Sequence, residues 1–373
     1  MAMETGQRRI RLGMVGGGVD AFIGAVHRIA ARIDGDYDLI AGALSSTPEK
    51  AAVSGRLIGL EPERIYNDYA EMAKAEVARE DGIEAVAIVT PNHLHYSVAK
   101  VFLEQNIHVI CDKPLTATEE DAVAFLKAVN ASDARFLLTH NYTGYPMVRE
   151  ARRLVDEGKL GKIRLIQMEY IQDWLVYADP ANKQAAWRID PARSGAGGCI
   201  GDIGTHAYNL GLFISGLKAE ALSADLQSFG GRSLDDNAHI LFRFQGGAKG
   251  MMWSSQIAIG SENGLRIRII GDAGGLEFQQ ENPNQLWFTA KGQPKQLLTR
   301  GGHGFEGDVR IPAGHPEGFL EGFATLYHDF AKVIHGDADA ADILPDIDAG
   351  LAGMEFITAA VKSSKANGEW VAL

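Results

Sequence analysis

Ile10-Arg11-Leu12-Gly13-Met14-Val15 reads as a short buried strand, Gly16-Gly17-Gly18 follow at once, and a helix is predicted over residues 22–33. A strand that passes through glycines into a helix lets the backbone approach a pyrophosphate closely, and the helix N-terminus favours negative charge there. Gly16 and Gly18 match the first two glycines of the dinucleotide fingerprint. Gly24 comes six residues after Gly18 rather than three, so the loop is longer than the common pattern.

The next segments repeat the strand-helix alternation. Residues 38–44 form a second strand, and Thr47-Pro48-Glu49-Lys50 opens a helix with proline at its first position. Residues 82–89 give another strand ending in Thr90-Pro91-Asn92-His93, followed by a helix over 97–105. Ile107 to Cys111 is a β-branched run that breaks at Asp112-Lys113-Pro114. Two charges and a proline end the strand and set Lys113 at its carboxyl end, where open α/β sheets bind their ligands. Residues 136–139 supply the last strand. The alternation predicts a parallel, doubly wound (Rossmann) sheet over residues 1–139, with Gly16, Gly18 and Gly24 in a dinucleotide-binding loop.

Composition limits the partners. The 373 residues allow two domains, and a net charge of −12 from 36 basic and 48 acidic residues argues against nucleic acid. Two cysteines, Cys111 and Cys199, fit a reducing compartment, and no run of 18 apolar residues spans a membrane. Arg8-Arg9 has the look of a twin-arginine export signal, but the glycine-rich segment with Asp20 behind it does not. A cytoplasmic protein is expected.

The rest of the chain, 140–373, changes pattern. A helix over 146–156 stops near Gly158, and strands are predicted at 163–171, 238–244, 249–257, 265–270 and 286–289. Strands without intervening helices predict an α+β domain with a largely antiparallel open sheet. Helices at 319–335 and 348–365 either cover that sheet or return to the first domain.

The glycine turn, Thr90-Pro91-Asn92 with His95, and Asp112-Lys113-Pro114-Leu115 together resemble the glucose-fructose oxidoreductase / inositol dehydrogenase / rhizopine catabolism (Gfo/Idh/MocA) family. The resemblance continues through Trp187-Arg188 and the run Gly197-Gly198-Cys199-Ile200-Gly201-Asp202-Ile203-Gly204-Thr205-His206, and so covers nearly the whole chain. The long loop and His315-Pro316-Glu317-Gly318 resemble the branch containing scyllo-inositol and L-glucose dehydrogenases. Three departures stand out: Asp112 replaces the usual Glu, the glycine loop is extended, and the second strand lacks its usual acid. Ser45 and Ser46 stand at that last place, and hydroxyls bond either form of the cofactor. NAD is expected because no cation is adjacent, with NADP left open.

The resemblance implies an NAD(P)-dependent dehydrogenase that oxidises a secondary hydroxyl of a cyclic polyol or pyranose, assembled as a homodimer or homotetramer. Its catalytic group maps onto Lys113, Asp202 and His206. A histidine suits proton exchange near neutrality, and Asp202 lies four residues earlier on the same helical face. Lys113 stabilises a developing alkoxide or positions the reacting oxygen. No third ligand with metal-like spacing stands nearby, so no metal is expected. Thr90, Asn92, His95, Asp112 and Lys113 join the glycines and Ser45-Ser46 around the cofactor. Tyr142, Arg188 and His315 join Lys113, Asp202 and His206 around the substrate. Two alternatives stay open: an enzyme that recycles a tightly bound cofactor during glycoside cleavage or sugar exchange, and a non-catalytic nucleotide sensor.

Overall fold

A computed structural model describes residues 8–19, 21–177, 190–229 and 231–373. These form two compact units, one of residues 1–144 with 319–351 and the other of residues 145–318 with 352–373. The chain therefore does not divide at one point after residue 139. Residues 319–351 return to the first unit, and the first crossing falls between Gly144 and Tyr145.

The first unit holds five parallel strands: β1 (Ile10–Gly16), β2 (Tyr37–Ala43), β3 (Ala85–Val89), β4 (His108–Cys111) and β5 (Phe136–Leu138). Their order is β2-β1-β3-β4-β5, so the winding reverses between β1 and β3. That reversal opens a ligand crevice at the strands' carboxyl ends. A parallel bridge from Gly42 to Ile65 is all that forms beyond β2 among the described residues. Buried apolar residues fill β3 from end to end, as a strand covered on both faces requires.

The first-unit helices are α1 (Phe22–Ile33), α2 (Pro48–Leu57), α3 (Tyr69–Val77), α4 (His95–Leu103) and α5 (Glu119–Asn130). In α1, Val26, His27, Ala30 and Ala31 are buried, a helical-period stripe. They share one core with β1, β3 and the later helix running Phe319–Ile334. Phe22 stacks on Phe319 at 6.4 Å, and His27 Nδ1 lies 2.8 Å from the Tyr327 hydroxyl. Aspartate and threonine caps start α3 and α5: Asp68 accepts from the Ala70 and Glu71 N–H groups, and Thr118 from Asp121.

The second unit holds α6 (Pro146–Asp156) and nine strands among its described residues. The strands are β6 (Ile163–Ile171), β7 (Ala219–Gln227), β8 (Asn237–Phe244), β9 (Lys249–Ser255), β10 (Gly264–Gly271), β11 (Gly274–Gln279), β12 (Gln285–Ala290), β13 (Gln296–Thr299) and β14 (Val371–Ala372). Their order is β13-β12-β11-β10-β6-β9-β8-β7-β14, antiparallel except for β6 beside β9. The sheet is thus larger than predicted. β7 is Ala-Glu-Ala-Leu-Ser-Ala-Asp-Leu-Gln, a run of strong helix formers that only its pairing with β8 makes extended. The glycine pair opening β11 hides that strand in the same way.

β8 alternates cleanly: Ala238, Ile240, Phe242 and Phe244 are buried, while His239, Leu241 and Arg243 are exposed. The buried face meets α7 (Thr205–Ser215), where Tyr208 stacks on Phe242 at 5.8 Å. After α8, which is the Phe319–Ile334 helix, α9 (Ile347–Lys365) passes from the first unit to the second. Phe356 of α9 stacks on Tyr208 at 4.6 Å.

Candidate active site

In the first unit the glycine turn lies at the sheet's switch point. Gly16 and Gly17 have φ of 80° and 71°, conformations that side chains resist. A Cβ on Gly16 would stand 2.8 Å from the Val89 carbonyl oxygen, and one on Gly18 the same distance from that of Leu44. On Gly24 it would stand 2.4 Å from Gly17 Cα, so α1 rests directly on the turn. The extended loop has its own fastenings. Ser54 of α2 accepts from the Val19 N–H at 3.2 Å, and Arg28 donates to the Gly17 carbonyl at 2.6 Å.

The ends of β3 and β4 complete this group. The Thr90 hydroxyl is buried with no hydrogen-bond partner among the described residues, and Asn92 is buried behind it. Crowded glycines and an orphaned hydroxyl at a sheet switch point fit a nucleotide whose phosphates lie against backbone. Ser45 is held locally by accepting from the Thr47 N–H at 3.2 Å, while Ser46 is exposed.

His95 is expected to cap or brace the nucleotide site. It is 1% exposed, and its two ring nitrogens face the Pro114 carbonyl at 2.8 Å and the Thr90 carbonyl at 2.9 Å. It ties the two strand-end loops together, and burial holds its pKa below the ordinary histidine value. Its place in the cofactor group is that of a brace.

Asp112 also acts locally. Its Oδ1 accepts from the Lys113 N–H at 2.9 Å and from the Thr139 hydroxyl at 3.1 Å, with His27 Nε2 4.0 Å away. Lys113 is half-buried at the end of β4, before a cis peptide bond to Pro114. The nearby His140 is pushed down to about 3, first by burial and then by the charge of Lys113. Lys113 therefore has a neutral imidazole beside it. Tyr142 is buried in the same unit, 6.5 Å ring to ring from Phe319.

Asp202 and His206 lie in the second unit, and the helix carrying them is not regular. Ile200–Gly204 forms a π turn that runs into α7. Such turns are rare and concentrate at functional sites. Asp202 is half-buried, His206 is 8% exposed, and the Tyr170 ring lies 6.1 Å from the imidazole. Asp235 secures the turn: its carboxylate accepts from the Gly198 N–H at 2.6 Å, the Ile200 N–H at 2.9 Å and the Cys199 thiol at 3.0 Å. Burial raises the pKa of both Asp235 and Cys199. A Cβ on Gly198 would fall 2.0 Å from the Asp235 carbonyl oxygen, which explains the glycine there.

His315 is exposed in the second unit, in a loop anchored beneath it by the buried Arg300–Glu317 pair at 2.9 Å. Arg300 also donates to the His315 carbonyl. Arg188 and Trp187 lie outside the described residues. Among the described residues one group has ligand atoms close enough for a metal: Asp34, Asp36 and His328, none of them a predicted site residue. There His328 Nδ1 is already committed to Asp36 Oδ2 at 2.7 Å. No helix among the described residues is long and apolar enough to cross a membrane.

Sequence reasoning missed Ser54, Arg28, Thr139, Asp235 and Gln256, whose amide reaches Asp202 at 2.8 Å. Only Asp235 carried a signal, as half of an acidic pair set directly before an alternating strand.

Comparison with known proteins bears on both units. Residues 10–142 match the oxidoreductase family with NAD-binding Rossmann fold, and residues 148–277 match the GFO/IDH/MocA C-terminal domain. The crystal structure of an oxidoreductase from Sinorhizobium meliloti is 57% identical, covers 98% of this chain and 100% of that one, and gives a TM-score of 0.90. An inositol dehydrogenase homologue from Azotobacter vinelandii, complexed with NADH and myo-inositol, is 36% identical over 98% of both chains, with a TM-score of 0.91. A levoglucosan dehydrogenase from Pseudarthrobacter phenanthrenivorans is 29% identical over 98% of both chains.

Proposed function

This chain belongs to the GFO/IDH/MocA family of NAD-binding oxidoreductases, and we propose that it oxidises one secondary hydroxyl of a cyclic polyol or pyranose through Lys113, Asp202 and His206. The observation that carries this reading is the π turn at Ile200–Gly204, which brings Asp202 and a nearly buried His206 to one helix start. Relatives crystallised with myo-inositol or levoglucosan support a ring polyol or anhydro sugar as the substrate class.

Gly16, Gly17, Gly18, Thr90 and Asn92 would hold NAD, which would supply the hydride acceptor. The protein's own part is proton and charge management. His206 takes the hydroxyl proton, and Asp202 orients the imidazole or a neighbouring substrate hydroxyl. Lys113 offsets the negative charge that develops on the reacting oxygen. A neutral His140 beside it leaves Lys113 the sole cation of that pair. His95 and Asp112 hold the two strand-end loops, and Tyr142, Arg188 and His315 are assigned to substrate selection.

The test is absorbance of NADH formed from inositols, aldopyranoses and 1,6-anhydro sugars, with NAD and NADP in parallel. Lys113→Ala and His206→Asn are each expected to cut turnover by about 10²-fold or more while NAD still binds. Normal turnover in both variants would overturn the catalytic assignment.

We propose further that the protein self-associates through the solvent face of the large sheet. Leu165, Leu241 and Met251 are each about half exposed there, beside Trp253. Neighbouring exposed apolar side chains on an open sheet call for a partner, and a second copy supplies one by symmetry.

A further inference from the structure

Resting on the catalytic role given to Asp202, we infer that Gln256 is a positioning residue that holds Asp202 as an aimed, ionised carboxylate. Gln256 follows β9 and is 3% exposed. Its side-chain Nε2 donates to Asp202 Oδ2 at 2.8 Å, across 54 residues of sequence. An amide N–H favours the charged form of the carboxylate it meets. It also fixes the position of that oxygen, and with it the plane of the carboxylate.

The loop does not need this bond to keep its shape. The Gln256 N–H already donates to the Asp236 carbonyl at 2.9 Å, and its own carbonyl accepts from the Leu175 N–H at 3.1 Å. With the backbone held on both sides, the side chain is free to serve Asp202. The same two-residue segment fixes both ends of the arrangement: Asp235 ties down the backbone at Gly198 and Ile200, and Asp236 receives Gln256. Asp236 is in turn set by accepting from the Phe229 N–H at 3.0 Å and by Arg232 at 3.2 Å. A shift in this segment would move the turn and its orienting amide together.

The titratable and charged groups around the turn are Cys199 and His206 on it, Asp235, Asp236 and Arg232 from the segment before β8, and Tyr170 on β6. From α9 the Ile357 side chain comes against the turn at Gly197 and Gly201. Gln256 meets the Asp202 carboxylate itself at 2.8 Å, so a change at Gln256 acts on it directly.

Three variants and a pH profile test the inference. Gln256→Glu keeps the size but opposes two carboxyls at hydrogen-bond distance, and both cannot ionise freely. The acid limb of kcat/KM should rise by at least one pH unit. Gln256→Met removes the donor and should raise the same limb by less, with kcat down about tenfold and NAD affinity unchanged. Gln256→Asn keeps an amide that is too short to reach, and should behave like Met even if one of the others fails to fold. A purely structural role predicts lower thermal stability with the limb in place, and that result overturns the inference. Asp202→Asn separates it from the reading beneath it. Full turnover there removes the catalytic role of Asp202, whereas an inactive Asp202→Asn with an unmoved limb in the Gln256 variants refutes the inference alone.

Discussion

Gly24→Ala tests the glycine turn most directly, because two effects of known size oppose each other there. Gly24 lies in the first turn of α1, and alanine in a helix is ordinarily better than glycine by about 0.8–1 kcal/mol. Against that, the added Cβ would stand 2.4 Å from Gly17 Cα, 2.7 Å from its oxygen and 2.9 Å from its carbonyl carbon. All three are backbone atoms of a residue at φ 71°, so no side chain can swing aside. Ordinary contact begins near 3.4 Å, which means the turn and the helix must separate by roughly 1 Å. Overpacking of this kind costs about 1–3 kcal/mol. Net stability should therefore fall by no more than about 2 kcal/mol. NAD binding should suffer more, since the displaced turn is the part proposed to meet the pyrophosphate. Losing one charge-assisted hydrogen bond of about 1.5–3 kcal/mol weakens binding roughly 10- to 100-fold. Calorimetric titration with NAD, paired with urea denaturation, reads both quantities on one preparation. An NAD affinity within twofold of the unsubstituted protein would refute the cradle.

Two further outcomes follow from the described geometry. The His328 pKa is raised, chiefly by its hydrogen bond to Asp36, so protonated His328 stabilises the fold. That contribution is complete below the unfolded value of about 6.5 and is lost as the pH rises through the higher folded value. A Tm gap between the protein and His328→Gln should thus be present at pH 5.5 and closed well above the folded value; a gap independent of pH would contradict this. For the open sheet, Met251→Lys placed opposite Leu241 should lower the mass measured by light scattering, with NAD affinity retained. An unchanged mass would remove this face from the interface.

Much of the first unit was legible because its signals are local. A β-branched run, a glycine turn and a proline each constrain the backbone within a few residues, and β1, α1, β3 and β4 all follow from such runs. Its closing piece was not legible. The return of residues 319–351 depends on Tyr327 and Phe323 meeting His27, contacts separated by about 300 residues that no periodicity announces. β7 failed for the opposite reason, since its local preference is helical and only pairing with β8 overrides it.

The candidate site divides along the same line. The residues proposed to do the chemistry announce themselves by type: a lysine closing a strand, and a histidine four residues after an aspartate. Residues that aim them are ordinary in sequence. Gln256, Thr139 and Ser54 are polar side chains of the commonest kind, and each matters only because folding buries its one hydrogen bond against a distant partner. The shift from a regular helix to a π turn at Ile200–Gly204 belongs with them. Asp235, more than thirty residues away, accepts from the N–H groups at 198 and 200 where that turn begins. His95 belongs with them too: carbonyls 2.8 and 2.9 Å from its two nitrogens place it between the ends of β3 and β4. On the proposed reading, the chemistry is therefore carried by a few conspicuous side chains, and its precision by inconspicuous ones that only the fold brings to them.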